Sequence, residues 1–442
     1  MPKDTICAIA TASGIGGIAI VRASGPSSRD ILKQCFHPKS EQEFRSHRMM
    51  YGFAVDADGG QLDEVMAVWL SAPKTYTRED MFEIQCHGGG ICAQRVMKRV
   101  IELGARIASP GEFTRRAFLN GRVDLSRAEA VMSLIGANSE AAARASMRQL
   151  EGGISGFVRD TAEKLKVCMA RIEACTDFPD EVDEPDAAQS VREDLTEIIQ
   201  EVERRCDPRS AKLIREGASI VLAGRPNVGK SSLMNALLNQ ERAIVTSIPG
   251  TTRDVLTERI RLGGISAELS DTAGQRQTSD PVERIGVDRA ARAMEIADIV
   301  LIVLDSSESL TDEDERLLQS ADERAIICMN KCDLPRKCDY QDAFHLSAAT
   351  GEGVDALMKE MERRVSTASM EEERMTEERH LDLARRALDA LRRAVDSIDA
   401  ALPLDLVEID LREALSSFSE ITGEDASEEV IDRVFQNFCV GK

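Results

Sequence analysis

No stretch of this 442-residue chain is long and apolar enough to span a bilayer, and no CxxC pair occurs among its 11 cysteines. The first absence leaves any membrane association peripheral. The second, with an odd cysteine count, argues against a disulfide framework and for a reducing, cytoplasmic setting. No basic RNA-binding module is read in the helical flanks. A basic body is also lacking, since 56 Lys and Arg stand against 77 Asp and Glu, for a formal charge of -21. Residues 1–118 carry 15 Lys and Arg against 13 Asp and Glu, so the acidic excess lies beyond them. Such a body repels phosphate backbones, and a nucleic-acid substrate would have to be held by a local patch or a basic partner.

What the chain does have is 43% hydrophobic residues in a length too great for one ordinary domain; about three are expected. The opening ICAIATASGIGGIAIV imitates the apolar core of a signal peptide. Gly14, Gly16 and Gly17 spoil that helix, and the flanks ICAIA and GIAIVR read as two strands around a glycine loop.

In the middle of the chain, SIVLA (219–223) has the pattern of a buried strand and runs directly into GRPNVGKSSLMNALL, with the spacing GxxxxGK[ST] from Gly224 to Ser231. Glycines let successive backbone N–H groups converge on phosphate oxygens, and the following helix N-terminus adds its positive dipole. The loop residues Asn227, Val228, Gly229, Lys230, Ser231 and Ser232 therefore read as a triphosphate cradle, with Lys230 reaching the outer phosphates and Ser231 a ligand to Mg²⁺. Downstream, ISAELSDTAG ends a second strand at Asp271, suited to the Mg²⁺ shell, and Gly274, whose amide can sense a γ-phosphate. RAIICMNKCD ends a third with Asn330, Lys331 and Asp333, where a carboxylate can accept from the N1–H and exocyclic amine of guanine, a donor pair that adenine lacks. HLSA, with Ser347 and Ala348, would close over the base. The ligand read from these residues is GTP.

Between the phosphate loop and Asp271 lies IVTSIPGTTRDV, a switch segment in which Thr252 is expected to supply a second hydroxyl to Mg²⁺. Orientation of the attacking water has two candidates, Gln275 directly after DTAG and Glu283 at the start of a helical pattern. Arg225 lies in the phosphate loop, but its backbone position does not assure reach across a γ-phosphate.

In order and strand context, these elements resemble the translation-factor-related GTPases over roughly 150 residues, an ordinary domain size. Asn227 together with the GTTRD loop resembles those GTPases that seat K⁺ where others place an arginine finger. That resemblance implies oxygen ligands from the Asn227 side chain and from the backbone carbonyls of Thr246, Ile248 and Thr251. It also favours Glu283 over Gln275, because the family usually carries an aliphatic residue at the latter place.

Helical patterns flank this region. Upstream, Ile154, Val158, Thr161, Leu165, Cys168, Ile172 and Cys175 recur at spacings of four and three; downstream, Leu381, Leu388, Leu391 and Val395 share one face. The two flanks read as one helical domain interrupted by the GTPase. A last helix from about Ser427 places Val430, Ile431, Val434, Phe435 and Phe438 inward, and the chain ends in CVGK.

That ending, the GTPase motifs and the N-terminal stretches TASGIGGIAIVRASG, SAPKTYTREDMFEIQCHGG and PGEFTRRAFLNGRVDLSRAEA are similar to the family of tRNA-modification GTPases called MnmE or TrmE. The fold so implied is multidomain α+β and α/β. It comprises a folate-binding and dimerising α+β domain over 1–118, a helical bundle over 119–215 and 367–442, and an inserted P-loop GTPase over 216–366 with a mostly parallel sheet and helices on both faces. Arg22, Glu79, Arg122 and Lys442 would contact a 5-formyl- or 5,10-methylene-tetrahydrofolate, and Cys439 would be exposed for chemistry. Also implied are a homodimer, an FAD-containing partner subunit, MnmG (GidA), in a heterotetramer or larger complex, and tRNA as substrate. The modification would be an aminomethyl or carboxymethylaminomethyl group at C5 of the wobble uridine, U34. The competing reading is a ribosome-assembly or regulatory GTPase without modification chemistry.

Overall fold

The structure, a computed structural model, describes residues 4–40, 43–178, 180, 183–240, 257–271, 293–365, 374–439 and 441. The chain divides into two compact units, one of Met1–Met132, Gln149–Ile199 and Leu383–Lys442, the other of Ser133–Arg148 and Gln200–Asp382.

In the first unit, strands β1 (Ile6–Ile9), β2 (Ile18–Ser24), β3 (Phe36–Pro38), β4 (Arg48–Val55), β5 (Gln61–Leu70), β6 (Met81–His87) and β7 (Arg106–Ile107) form a 7-stranded sheet in the order β3-β4-β5-β6-β2-β1-β7. The two opening strands pair antiparallel around the glycine loop, as their flanking residues predict. All pairings are antiparallel except β1 with β7. Side chains alternate across the pleat. Cys7, Val21, Ala23, Phe82 and Ile84 share one core with the helices Ser28–Cys35 and Gly90–Glu102, while Ile6, Ala8 and Met81 join Phe113 in another. Arg22 and Ser24 alternate with Val21 and Ala23 on β2, and so belong to the face away from those two helices.

The helix Gly153–Asp177 buries every residue of its expected seam, from Ile154 to Cys175, and packs against the helix Leu404–Thr422, whose Leu411, Phe418 and Ile421 are fully buried. The last helix, Glu428–Gln436, starts where Ser427 accepts from the Val430 amide. It carries Phe435 into a cluster with Leu125, Ala128 and Phe438, with Val430, Ile431 and Val434 packed around it. His87 is the last residue of β6, where Asp63 accepts from its backbone amide and pairs with its ring Nδ1.

In the second unit, β8 (Ala218–Ala223), β9 (Thr257–Leu262), β10 (Ile265–Asp271), β11 (Ile299–Asp305), β12 (Ala325–Asn330) and β13 (Phe344–His345) form a 6-stranded sheet ordered β13-β12-β11-β8-β10-β9. It is parallel apart from β9. Its central strands are apolar on both faces, as a sheet covered on both sides requires. Ile220 and Leu222 meet the helices Lys230–Gln240 and Val354–Val365, while Val221 and Ala223 face the side of the helix Asp312–Gln319. Among the described residues no helix is long and apolar enough to cross a membrane.

Candidate functional site

The parallel strands bring three loops together at their C-terminal ends, where open α/β sheets bind ligands. Phosphate-loop geometry requires residues that tolerate positive φ. Gly224 stands at +151° and Gly229 at +98°, and a Cβ on Gly229 would lie 2.2 Å from Nδ2 of Asn330. Asn227 and Lys331 occupy the left-handed region at +69° and +63° despite their side chains, a strain that persists only where surrounding contacts fix it. One such contact joins the two residues, since Lys331 Nζ donates to the Asn227 carbonyl at 2.9 Å and to Asp305 Oδ2 at 2.5 Å.

Lys230 is 4% exposed and donates to the carbonyls of Gly224 at 2.6 Å and Arg225 at 2.9 Å. Burial lowers its ammonium from the ordinary lysine value, against the opposing pull of Asp271. Ser231 Oγ donates to Asp271 Oδ2 at 3.0 Å, so two of the three expected magnesium-shell residues are adjacent. Ser232 is exposed beside them. Arg225 is held by Glu308 at 2.7 Å and Asp314 at 3.2 Å.

The base-side loops are fastened to this cradle. Asn330, 2% exposed, donates to the Val228 carbonyl at 2.8 Å and accepts from the Ala348 amide at 2.9 Å. Ser347 is buried and its carbonyl accepts from Gly351 at 2.8 Å, closing the turn. Asp333 is exposed at the end of the same segment. Thr246, Ile248, Thr251, Thr252, Gly274, Gln275, Glu283 and Lys442 lie outside the described residues.

A second constellation occupies the first unit. Arg22 Nε pairs with Glu83 at 2.8 Å across β2 and β6, and Nη1 donates to the Gly441 carbonyl at 3.2 Å. The C-terminal tail is thereby docked on the sheet, with the Gly111 amide donating to the Cys439 carbonyl at 3.4 Å. Cys439 itself is exposed. Arg22 and Arg122 share the Tyr76 ring, at 5.8 and 4.6 Å from its centroid, and Arg122 also donates to the Tyr76 carbonyl at 3.2 Å. Glu79 accepts from Ser24 Oγ at 2.7 Å and from Arg116 at 3.1 Å.

Tyr76, Glu83, Asp305 and Arg116 were missed by sequence reasoning. Arg116 carried the one legible signal, being a charged residue three places after Phe113 on the helix face that Phe113 and Ala117 share. The partnership of Glu83 with Arg22 depends on strand register, which no local pattern discloses.

Two family models match the chain, that of the GTP-binding protein TrmE N-terminus over residues 5–122 and that of the MnmE helical domain over residues 125–439. A tRNA modification GTPase MnmE of Symbiobacterium thermophilum is 42% identical over 461 residues, covering 100% of both chains. One of Geobacter sulfurreducens is 41% identical over 454 residues, covering 100% of this chain and 99% of its own. Among solved structures, the G domain of the T. maritima FeoB iron transporter matches 34% of this chain and 99% of its own at 26% identity, with a TM-score of 0.27, too low for the superposition to bear weight. Full-length identity of this order, with both models matched in sequence and the three nucleotide-site loops joined as described, means that the chain belongs to the MnmE family of tRNA modification GTPases.

Proposed function

We propose that the chain hydrolyses GTP as one subunit of a complex that installs an aminomethyl or carboxymethylaminomethyl group at C5 of the wobble uridine, U34, of tRNA. The observation that carries the nucleotide half of this reading is the pair of Asn330 hydrogen bonds, which joins the phosphate loop to both base-side loops. Organisation into a folate domain (1–118), a helical domain (119–215 and 367–442) and an inserted G domain (216–366) belongs to the same proposal.

Lys230 releases its loop carbonyls to pair with the outer phosphates, its buried position strengthening the attraction. Ser231, Thr252 and Asp271 offer hard oxygen donors, the set that Mg²⁺ takes. When bound, Mg²⁺ neutralises charge between the β- and γ-phosphates. Asp333 receives the guanine N1–H and 2-amino donors while the Ala348 segment covers the base. Glu283 orients the attacking water. Arg225 does not serve as an arginine finger in this reading, because Glu308 and Asp314 engage it. The Asn227 side chain, with the carbonyls of Thr246, Ile248 and Thr251, would hold K⁺ in its stead, and two G domains would close over it.

In the first unit, Arg22 and Arg122 suit the carboxylates of a folate glutamate tail and Glu79 suits pterin N–H donors. Cys439 and Gly441 lie near them, bonded through their carbonyls to the Gly111 amide and to Arg22, and Lys442 would join this site. Tetrahydrofolate, when bound, supplies the one-carbon unit, and an FAD-containing partner, MnmG, supplies the redox step. Nucleoside analysis of tRNA from cells lacking the chain tests the reading. Wobble uridine without its C5 group is expected; unchanged C5 modification would favour a regulatory GTPase instead.

A further inference from the structure

Arg116 is 2% exposed, among the largest fully buried side chains of the protein, and every carboxylate it meets is held in place by it. Nη2 donates to Asp4 Oδ1 at 2.9 Å and Glu112 Oε1 at 3.0 Å. Nη1 donates to the Asp4 carbonyl at 3.0 Å and to Glu79, at 3.1 Å to Oε2 and 3.4 Å to Oε1. Asp4 and Glu112 have a second arginine, Arg106, at 2.7 and 2.6 Å. Glu79 has none besides Arg116 among the ion pairs of the described residues; its other side-chain donor is Ser24 Oγ, itself hydrogen-bonded to Thr77 Oγ1 at 2.7 Å. Two arginines thus face three carboxylates, and the uncompensated negative charge falls on Glu79, whose remaining lone pairs are open to further donors.

We infer that Arg116 is a positioning residue for ligand recognition: it fixes the Glu79 carboxylate as a planar acceptor for the paired N–H donors of a pterin ring. This rests on the folate reading of the site. Arg116 is too buried to meet the ligand, so it acts only through Glu79. Without that cation the Glu79 carboxylate keeps only Ser24 Oγ as a side-chain donor among the described residues, and it is free to turn out of the plane in which paired pterin donors would meet it. The charged groups set around Glu79 are Arg116, Asp4, Glu112 and Arg106, with Arg22 and Glu83 paired to each other on the same sheet face.

The test is calorimetric titration of the full-length chain with 5-formyltetrahydrofolate at pH 7.5, with GTP turnover and the unfolding transition as controls on folding. Arg116→Gln should bind about 30-fold more weakly than the wild type, and Arg116→Lys, which keeps the cation, should lose less. In a Glu79→Gln background the same Arg116→Gln change should weaken binding no further, because its effect runs through Glu79. If Arg116→Gln does not fold, Ser24→Ala removes the other donor to the same carboxylate, and its loss of affinity should likewise vanish in Glu79→Gln. Wild-type chain that takes up no folate rejects the folate reading and this proposal together. Wild-type binding with Arg116→Gln unchanged, or weakened as much in Glu79→Gln as in the wild type, rejects the role of Arg116 alone.

Discussion

Nδ2 of Asn330 donates to the carbonyl oxygen of Val228 across 2.8 Å, so the strand that ends at the base is stitched to the loop that wraps the phosphates. Replacing Asn330 by Ala orphans the buried Val228 carbonyl and the Ala348 amide at once. Each lost bond costs about 1–3 kcal/mol, so GTP and GDP affinity should fall by about 30-fold or more in a fluorescent-nucleotide titration. Unaltered affinity would mean that the stitch is dispensable.

Thiol reactivity should follow burial. Burial pushes the Cys35 and Cys328 thiols up to about 12 and those of Cys7 and Cys168 to about 11, while Cys439 is exposed. Since only the thiolate reacts, iodoacetamide at pH 8 is expected to label Cys439 first and Cys35 and Cys328 only after denaturation. Mass spectrometry of the native chain reads the order directly, and early labelling of Cys328 would contradict it.

Acid sensitivity of the first unit should centre on Glu112. Burial alone would raise its carboxyl, but Arg106, the Ser109 amide and Arg116 hold it below its ordinary 4.5. A carboxylate depressed in the folded state contributes stability that is fully present above about pH 4.5 and is lost as pH falls through the lower folded value. Arg106→Ala should therefore cost about 1 kcal/mol at neutral pH, a modest figure because Arg106 is half exposed, and should blunt the acid loss. Calorimetric unfolding from pH 7 to 3 measures both effects.

Helix packing supplies a test of the core. Phe418 is fully buried on the helix that packs against Gly153–Asp177. Phe418→Ala is expected to destabilise this unit by about 3–5 kcal/mol, seen as an early transition in chemical denaturation with nucleotide affinity retained. A shift below about 1 kcal/mol would show that the seam does not depend on this ring.

Local chemistry was legible and register was not. GRPNVGKS announces itself because phosphate binding demands glycines and a lysine at fixed spacing, and the seam from Ile154 to Cys175 because a helix repeats its buried face every three or four residues. The neighbours of Arg22 were hidden. Glu83 stands 61 residues away in sequence and Gly441 419 away, joined to it only by strand pairing and by the return of the C-terminal tail. Arg116 illustrates a third case. Its charge looks misplaced on the helix face that Phe113 and Ala117 share until Asp4, Glu79 and Glu112 are seen gathered around it.

Recognition of guanine at Asp333 is the claim on which the rest turns, and nucleotide selectivity of Asp333→Asn tests it most directly. Xanthine carries a carbonyl where guanine has its 2-amino group, so an amide donor should suit it as the carboxylate suits guanine. Titrated with both nucleotides, the variant is expected to lose about 100-fold in GTP affinity and to gain a comparable preference for XTP, since a site built for specific hydrogen bonds rejects the mismatched partner strongly. GTP bound as tightly by Asp333→Asn as by the wild type, with no gain for XTP, would contradict the account.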